Sequence, residues 1–317
     1  MVKSRKPWIF TALILLALGM ILIAAAFFSV GFHVSGFNTV NYEAELTPLD
    51  RPYDKIIIDA DGCNVLIMTP QTRSAFPEFQ DMEITSPCVL SYNAGNDIFT
   101  ECGYRDRDLY ITRCDLRPWY ERIGYDFNMQ SDQIVLFLDD LHFDGLEVTT
   151  NSGRIWLLSE AQIKDVRMKS VSGQLVAKDL FCEYLSMTST SGQIFLSSTI
   201  SDEMILKTVS GEISISTIHS NQTLHAMTTS GEISAKTVSA GTLALESTSG
   251  DIDFSDAEAI IAVVFESVSG DIEGTLSSGK RFTVKTTSGD VDIPADVPHA
   301  AQCIVTTTSG DIDIKIK

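Results

Sequence analysis

A chain of 317 residues with 44% hydrophobic and 21% charged residues has a globular composition, and its length would ordinarily divide into two domains. The formal net charge of −19 argues against nucleic-acid binding, because a surface that tracks phosphates needs a basic stripe. An acidic surface fits solubility and self-repulsion, or a cationic partner.

Residues 1–6 carry Lys3, Arg5 and Lys6 and read as a short cytoplasmic tail. Residues 7–32 hold no charged side chain, are mostly apolar, and are followed by no Lys or Arg until Arg51. A run of that length can span a bilayer, and the Lys/Arg asymmetry puts the N-terminus in the cytoplasm. The rival reading is a cleaved signal peptide with Ala24-Ala25-Ala26 as its small-residue site, but its apolar region would exceed the usual ~7–15 residues. We therefore expect a single-pass transmembrane helix over 7–32, with the bulk of the chain extracytoplasmic and held at the cell membrane.

Residues 33–54, with Gly36, Asn38, Asn41, Pro48 and Pro52, look like an extended tether. Residues 55–69 alternate apolar and polar about Asp61-Gly62, which predicts two short strands around a turn. Residues 70–130 then hold four of the nine prolines, the charged run Arg105-Asp106-Arg107-Asp108, and the aromatics Trp119, Tyr120, Tyr125 and Phe127. Strands are expected at 108–112 and 134–138, on either side of a long loop. In an exported segment disulfides can persist, so Cys63, Cys88, Cys102 and Cys114 form a candidate disulfide pool with three possible connectivities. Cys182 and Cys303 stand alone and read as small buried hydrophobes. We take 55–130 as a first coil plus an N-terminal cap that covers the open end of the coils C-terminal to it. The rival role for 70–130 is a ligand-binding insertion presenting its aromatics.

Residues 131–317 are a repeat array. A Ser-Gly pair recurs with its glycine at Gly153, Gly173, Gly192, Gly211, Gly231, Gly250, Gly270, Gly289 and Gly310, at steps of 19 to 21 residues. Self-similarity at such a period marks a repeat architecture. Two residues after every glycine the side chain is aliphatic, from Ile155 to Ile312, and two further on most are again apolar. Period two on both sides of a corner means strand, turn, strand, and the wealth of β-branched residues disfavours helix. The prediction is an all-β, single-stranded parallel β-solenoid of about nine coils, each glycine supplying a corner's backbone angle. Three residues before each glycine stands Ser or Thr, and one before it always Ser. Both are expected to face inward as hydrogen-bonded hydroxyl ladders.

Two outward columns change along the array. The first runs Arg154, Gln174, Gln193, Glu212, Glu232, Asp251, Asp271, Asp290, Asp311. The second runs Trp156, Val176, Phe195, Ser214, Ser234, Asp253, Glu273, Asp292, Asp313. Trp156, Val176 and Phe195 form an apolar stripe that the cap or a partner should cover, and together with Trp119, Tyr120 and Tyr125 they are the candidate partner or ligand surface. The acidic members Asp251, Asp253, Asp271, Glu273, Asp290, Asp292, Asp311 and Asp313 read as a solvated face, with a Ca²⁺-type site as the rival. No other cofactor is implied, and the solenoid Ca²⁺ signature is absent. The five histidines lie in no nucleophile or metal spacing, and no P-loop, dinucleotide or nucleophile-elbow motif occurs, so no catalytic residue is nominated.

The repeated Thr-x-Ser-Gly-[Asp/Glu]-Ile, preceded by the segments at 108–112 and 132–139, resembles the bacterial "putative adhesin" domain of unknown function found in LiaG- and YvlB-like envelope proteins. The resemblance spans about 55–317 and implies a membrane-tethered β-solenoid of the bacterial envelope. It carries no catalytic or ligand residue to transfer. The function expected is a non-enzymatic binding, adhesion or scaffold module, partnered by an envelope protein or glycan. Its rivals are an accessory or sensory subunit of an envelope-stress regulatory complex and a polysaccharide-active β-helix enzyme.

Overall fold

The computed structural model describes residues 16, 18–21, 42–80, 82–84, 87–94, 96–118 and 132–317. Most of the apolar run 7–32 lies outside them, and among the described residues no helix is long and apolar enough to cross a membrane. Trp119, Tyr120, Tyr125 and Phe127 are likewise outside.

The described chain is a parallel β-solenoid with 21 strands. The strands are β1 (Glu43–Pro48), β2 (Lys55–Asp59), β3 (Asn64–Met68), β4 (Cys88–Asn93), β5 (Ile98–Arg105), β6 (Asp108–Asp115), β7 (Gln133–Phe137), β8 (His142–Thr150), β9 (Ile155–Leu157), β10 (Ala161–Ser170) and β11 (Leu175–Lys178). They continue as β12 (Leu180–Thr188), β13 (Ile194–Lys207), β14 (Ile213–Thr228), β15 (Ile233–Ser247), β16 (Ile252–Glu266), β17 (Ile272–Leu276), β18 (Arg281–Lys285), β19 (Val291–Asp292), β20 (Gln302–Thr306) and β21 (Ile312–Ile316).

A coil has three sides, one more than the sequence pattern suggested. In β13 the first side is 194–197, with Ile194 and Leu196 buried. Ser198, at φ 48°, turns the chain into a short second side, where Thr199 and Ser201 face in and Ile200 faces out. A register irregularity near 202 makes the next corner, and Met204 and Leu206 face in from the third side. The inward columns join in one core with Ile56, Val148, Leu175, Ile213, Ile252 and Ile312 among its members. Each such side chain, fully removed from water, contributes about 1.5–3 kcal/mol.

The Ser-Gly corner works differently from expectation. Of the nine corner glycines only Gly289 has positive φ. The others are glycine because the backbone of the preceding coil comes too close. A Cβ on Gly211 would lie 2.0 Å from the Gly192 carbonyl oxygen, and one on Gly231 1.8 Å from that of Gly211. The left-handed corner is the opposite one, at Asp179, Ser198, Thr217, Thr237 and Asp256, all with φ between 48° and 57°.

The hydroxyl three before the glycine is buried as predicted in every coil but that of Thr286, and at Thr150, Thr208, Thr228, Ser247 and Ser267 it makes two bonds. Thr208 Oγ1 accepts from the Gly211 N–H at 3.1 Å and donates to the Gly192 carbonyl at 3.2 Å. Thr228 repeats this with Gly231 and Gly211. The serine just before the glycine is exposed in every coil, a correction to the inward assignment. The strand stops at the buried hydroxyl, and the next two residues form the outside of the bend, which breaks the alternation.

Stacking order departs from chain order at both ends. β2 lies between β6 and β8, and β3 between β7 and β9, so the coil built from β6 and β7 is outside the first one. At the other end β21 lies between β17 and β19, and β20 between β16 and β18. The final coil in sequence is therefore wedged beneath the one before it. Two loops impose this: after β17 the chain climbs two layers through 277–280, and 293–301 brings it back down one. The open edge among the described residues is consequently formed by β18 and β19 rather than by the last strand in sequence. Lys280, 2% exposed, plugs the core beneath that end, donating to Glu258, the Ala259 carbonyl and the Ser278 hydroxyl.

The N-terminal end is closed by antiparallel strands. β5 pairs with β6, β4 with β7, and β1 with β4, so part of the expected tether is an edge strand of the cap. Buried Arg113 ties this cap together, bonding Asn93 Oδ1, Thr100 Oγ1, the Tyr92 carbonyl and Asp132 Oδ1. The disulfide staple is not present: Cys63, Cys88, Cys102 and Cys114 are free thiols, as are Cys182 and Cys303. Cys63 sits in the main core, its carbonyl accepting from Thr150 as a corner glycine's does, while Cys88 belongs to a separate apolar cluster. Packing and Arg113 hold the cap without covalent help.

Candidate binding surfaces

The apolar stripe is placed where expected, in lateral register: Trp156 beside Val176, and Val176 beside Phe195. All three are half-buried. Trp156 packs on the cap's own apolar cluster, which contains Leu66, Met68, Phe79, Leu90 and Phe137, and Arg154 lies 5.7 Å above its ring. The cap thus shields the first member of the stripe.

The first acidic column has a structural use. Asp251 Oδ1 accepts the Asp271 N–H at 2.9 Å, Asp271 Oδ1 accepts the Asp311 N–H at 2.8 Å, and Asp311 Oδ1 accepts the Asp290 N–H at 2.8 Å. Asn64 does the same for Arg154 at 2.9 Å. A short Asp or Asn side chain reaches the next coil's exposed N–H. In the second column Asp253, Glu273, Asp313 and Asp292 follow one another in register. Glu232 joins them from the first column. Burial, then a hydrogen bond to Asp253, holds its carboxyl above the ordinary glutamate value. Among the described residues no three His, Cys, Asp or Glu side chains are grouped to hold a metal ion.

Among the described residues, grooves open along the stack, and two of them span several coils. One follows the Ser-Gly corner from Ser152 to Glu232; it is wide, polar and about 720 Å³. The other, about 450 Å³, follows the second side. Its outward column runs Phe181, Ile200, His219, Ser239, Glu258, each in register with the next. Phe181 and Ile200 are each 40% exposed. The rim is built by the left-handed residues Ser198, Thr217, Thr237 and Asp256. For a β-branched threonine that conformation is an outlier, costing on the order of 1–3 kcal/mol. At the far end Asp256 is held by Lys317 at 2.9 Å and by the Ser277 hydroxyl, which keep its carboxyl below the ordinary aspartate value. Glu258 is held by Lys280.

Sequence reasoning missed this groove. Its outward column lies on the short second side, where two or three residues between corners are too few to show a period. The left-handed residues are Asp, Ser and Thr, which in sequence look like any polar turn.

The family model Toastrack DUF4097 matches residues 53–237 and 200–317. The chain belongs to the Toastrack DUF4097 family. Among solved structures it is similar to a "putative adhesin" from Bacteroides fragilis, at 13% identity and a TM-score of 0.45, covering 87% of this chain and 97% of that one. It is also similar to a "putative cell adhesion protein" from Clostridium sporogenes, at 9% identity and a TM-score of 0.21, covering 87% and 100%. A search of curated proteins finds no match.

Proposed function

We propose that the protein is a non-enzymatic binding or adhesion module of the bacterial envelope, anchored through residues 7–32, and that the second-side groove holds its ligand. The observation that carries this is the groove itself: two half-exposed apolar side chains, Phe181 and Ile200, at its floor and a rim of strained backbone. Strained residues persist where the surrounding structure over-determines them, and they cluster at ligand sites. The groove's acids support binding over catalysis. Asp256 and Glu258 are each tied to a lysine, so neither is poised as a free general acid or base. An envelope glycan or an extended peptide fits a groove that is apolar at one end and hydroxyl-lined along its rim.

The test uses the full chain in detergent against a glycan array and an envelope extract, with Phe181→Ser/Ile200→Ser as the comparison. We expect the double variant to lose binding at least ~tenfold, the worth of burying one to two methylenes. Unchanged binding by the variant rejects the groove. Released product from any bound glycan rejects the non-enzymatic reading.

A further inference from the structure

At the C-terminal tip the strand edges of β18 and β19 have no strand beyond them among the described residues. Strand phase determines which groups are free. The Arg281 N–H donates to the Ala301 carbonyl and the Lys285 carbonyl accepts from the Thr307 N–H, so odd-numbered residues of β18 face β20. Even-numbered ones point away from the stack. The Phe282 N–H is taken by Asp296 Oδ1 at 2.7 Å, which leaves both backbone groups of Val284 outward. On β19 the Asp290 carbonyl accepts from the Ile312 N–H, which turns both groups of Val291 outward. Val291 is 45% exposed, and the buried Thr286 hydroxyl lacks the partners its counterparts have in the coils below.

We propose that this tip pairs with the tip of a second copy of the chain, about a two-fold axis through the Thr287-Ser288 corner. Such an axis lays the third side of one copy antiparallel on the first side of the other. It sets Val284 opposite the second copy's Val291, and each residue's outward N–H then meets the other's outward carbonyl. Inward side chains meet inward side chains, so the core runs through the contact. Outward, Lys285 meets Asp290 and Thr283 meets Asp292; Lys285 and Asp290 are exposed, and neither has an ion-pair partner among the described residues. Pairing β18 with itself through Val284 would instead set Lys285 against Thr283 and leave the lysine without an acidic partner. Lysine on an open edge wards off strands in general; here an aspartate of the second copy neutralises it.

The crossover at Asp296 and Val297 covers the start of β18, so the contact is confined to 283–286 and 289–292. That is far below the ~800 Å² per partner of a standard stable interface. The pairing is therefore weak between free molecules and gains strength where many copies face each other. It gives the binding reading above a partner, yet it depends on neither the membrane span nor the groove.

Sedimentation of the full chain in detergent, at low and high salt, tests it. Self-association is expected at low salt. Lys285→Asp and Asp290→Lys, both at exposed positions, should each weaken it roughly tenfold, because two cross-strand pairs turn from attraction to repulsion. An equimolar mixture of the two variants should restore it, since every acid then faces a base. A chain that stays monomeric, a reversal without effect, or a mixture no stronger than its parts each overturns the proposal. The last of these would assign the edge to a different occupant. The groove variant should self-associate like the wild type, which separates failure of this inference from failure of the groove.

Discussion

Replacing a corner glycine by alanine tests whether close approach, rather than backbone angle, selects glycine. In Gly211→Ala the new methyl would lie 2.0 Å from the Gly192 carbonyl oxygen and 2.8 Å from Thr208 Oγ1. Contacts under 3.0 Å do not persist, so the two coils must part by about 1 Å at the corner. Parting stretches the Thr208 bonds to Gly192 and Gly211, 3.2 and 3.1 Å in the native corner. Two hydrogen bonds at about 0.5–1.5 kcal/mol each, plus about 1–3 kcal/mol for overpacking, sum to roughly 2–6 kcal/mol. Gly103 is the control: nothing lies within 4 Å of its Cβ position, so Gly103→Ala should be neutral or slightly stabilising. Thermal melts in detergent, with hydrogen exchange to localise the loss to neighbouring coils, provide the readout. Gly211→Asn sharpens the comparison, since asparagine tolerates left-handed backbone and alanine does not. Both should fail alike. A tolerated Gly211→Asn, or a Gly211→Ala as stable as the Gly103 variant, refutes close approach.

Three further outcomes are expected. Glu258→Ala leaves the buried Lys280 ammonium with only neutral acceptors and should cost about 3–5 kcal/mol, whereas Lys280→Met should cost clearly less, both read from melting curves. Burial pushes the Cys303 thiol up to about 12 and raises that of Cys63 as well, so both should resist alkylation in the folded chain; mass spectrometry without reductant should find no disulfide. Glu232 has a raised folded pKa, so its charge opposes folding above that value and the penalty disappears as pH falls through it, in a window above 4.5. Glu232→Gln should accordingly stabilise by a few tenths of a kcal/mol at neutral pH and lose that advantage on acidification, as measured by melts across pH.

The repeat made the fold readable because its signal is chemical and local. An aliphatic residue two after each glycine and a hydroxyl three before it report inside and outside directly, and both columns are buried as read except in the terminal coil, at Val291 and Thr286. What stayed hidden depends on layers rather than on residues. Residues 286–292 and 307–313 differ only at Val291 and Ile312, so nothing local says which coil stacks on Gly270. The order is decided by the loops at 277–280 and 293–301 and by Lys280, whose role needs three dimensions to see. The acidic column was misread in part for the same reason. Its aspartates look like a charged surface until the N–H of the next coil appears 2.8–2.9 Å away.

The wedged final coil bears on how such a chain can be made and lengthened. A chain synthesised from its N-terminus cannot complete this end by laying down one coil after another. Residues 281–292 must wait, two layers up, until 302–316 arrives to fill the gap, so everything after β17 closes as one unit. A chain cut after 292 would lose two coils rather than one. By the same logic neither end can accept an added repeat, since both finish in a fixed interlocked pair. Duplication or loss of whole coils is confined to the stretch between Gly173 and Gly250, where each layer meets only its sequence neighbours.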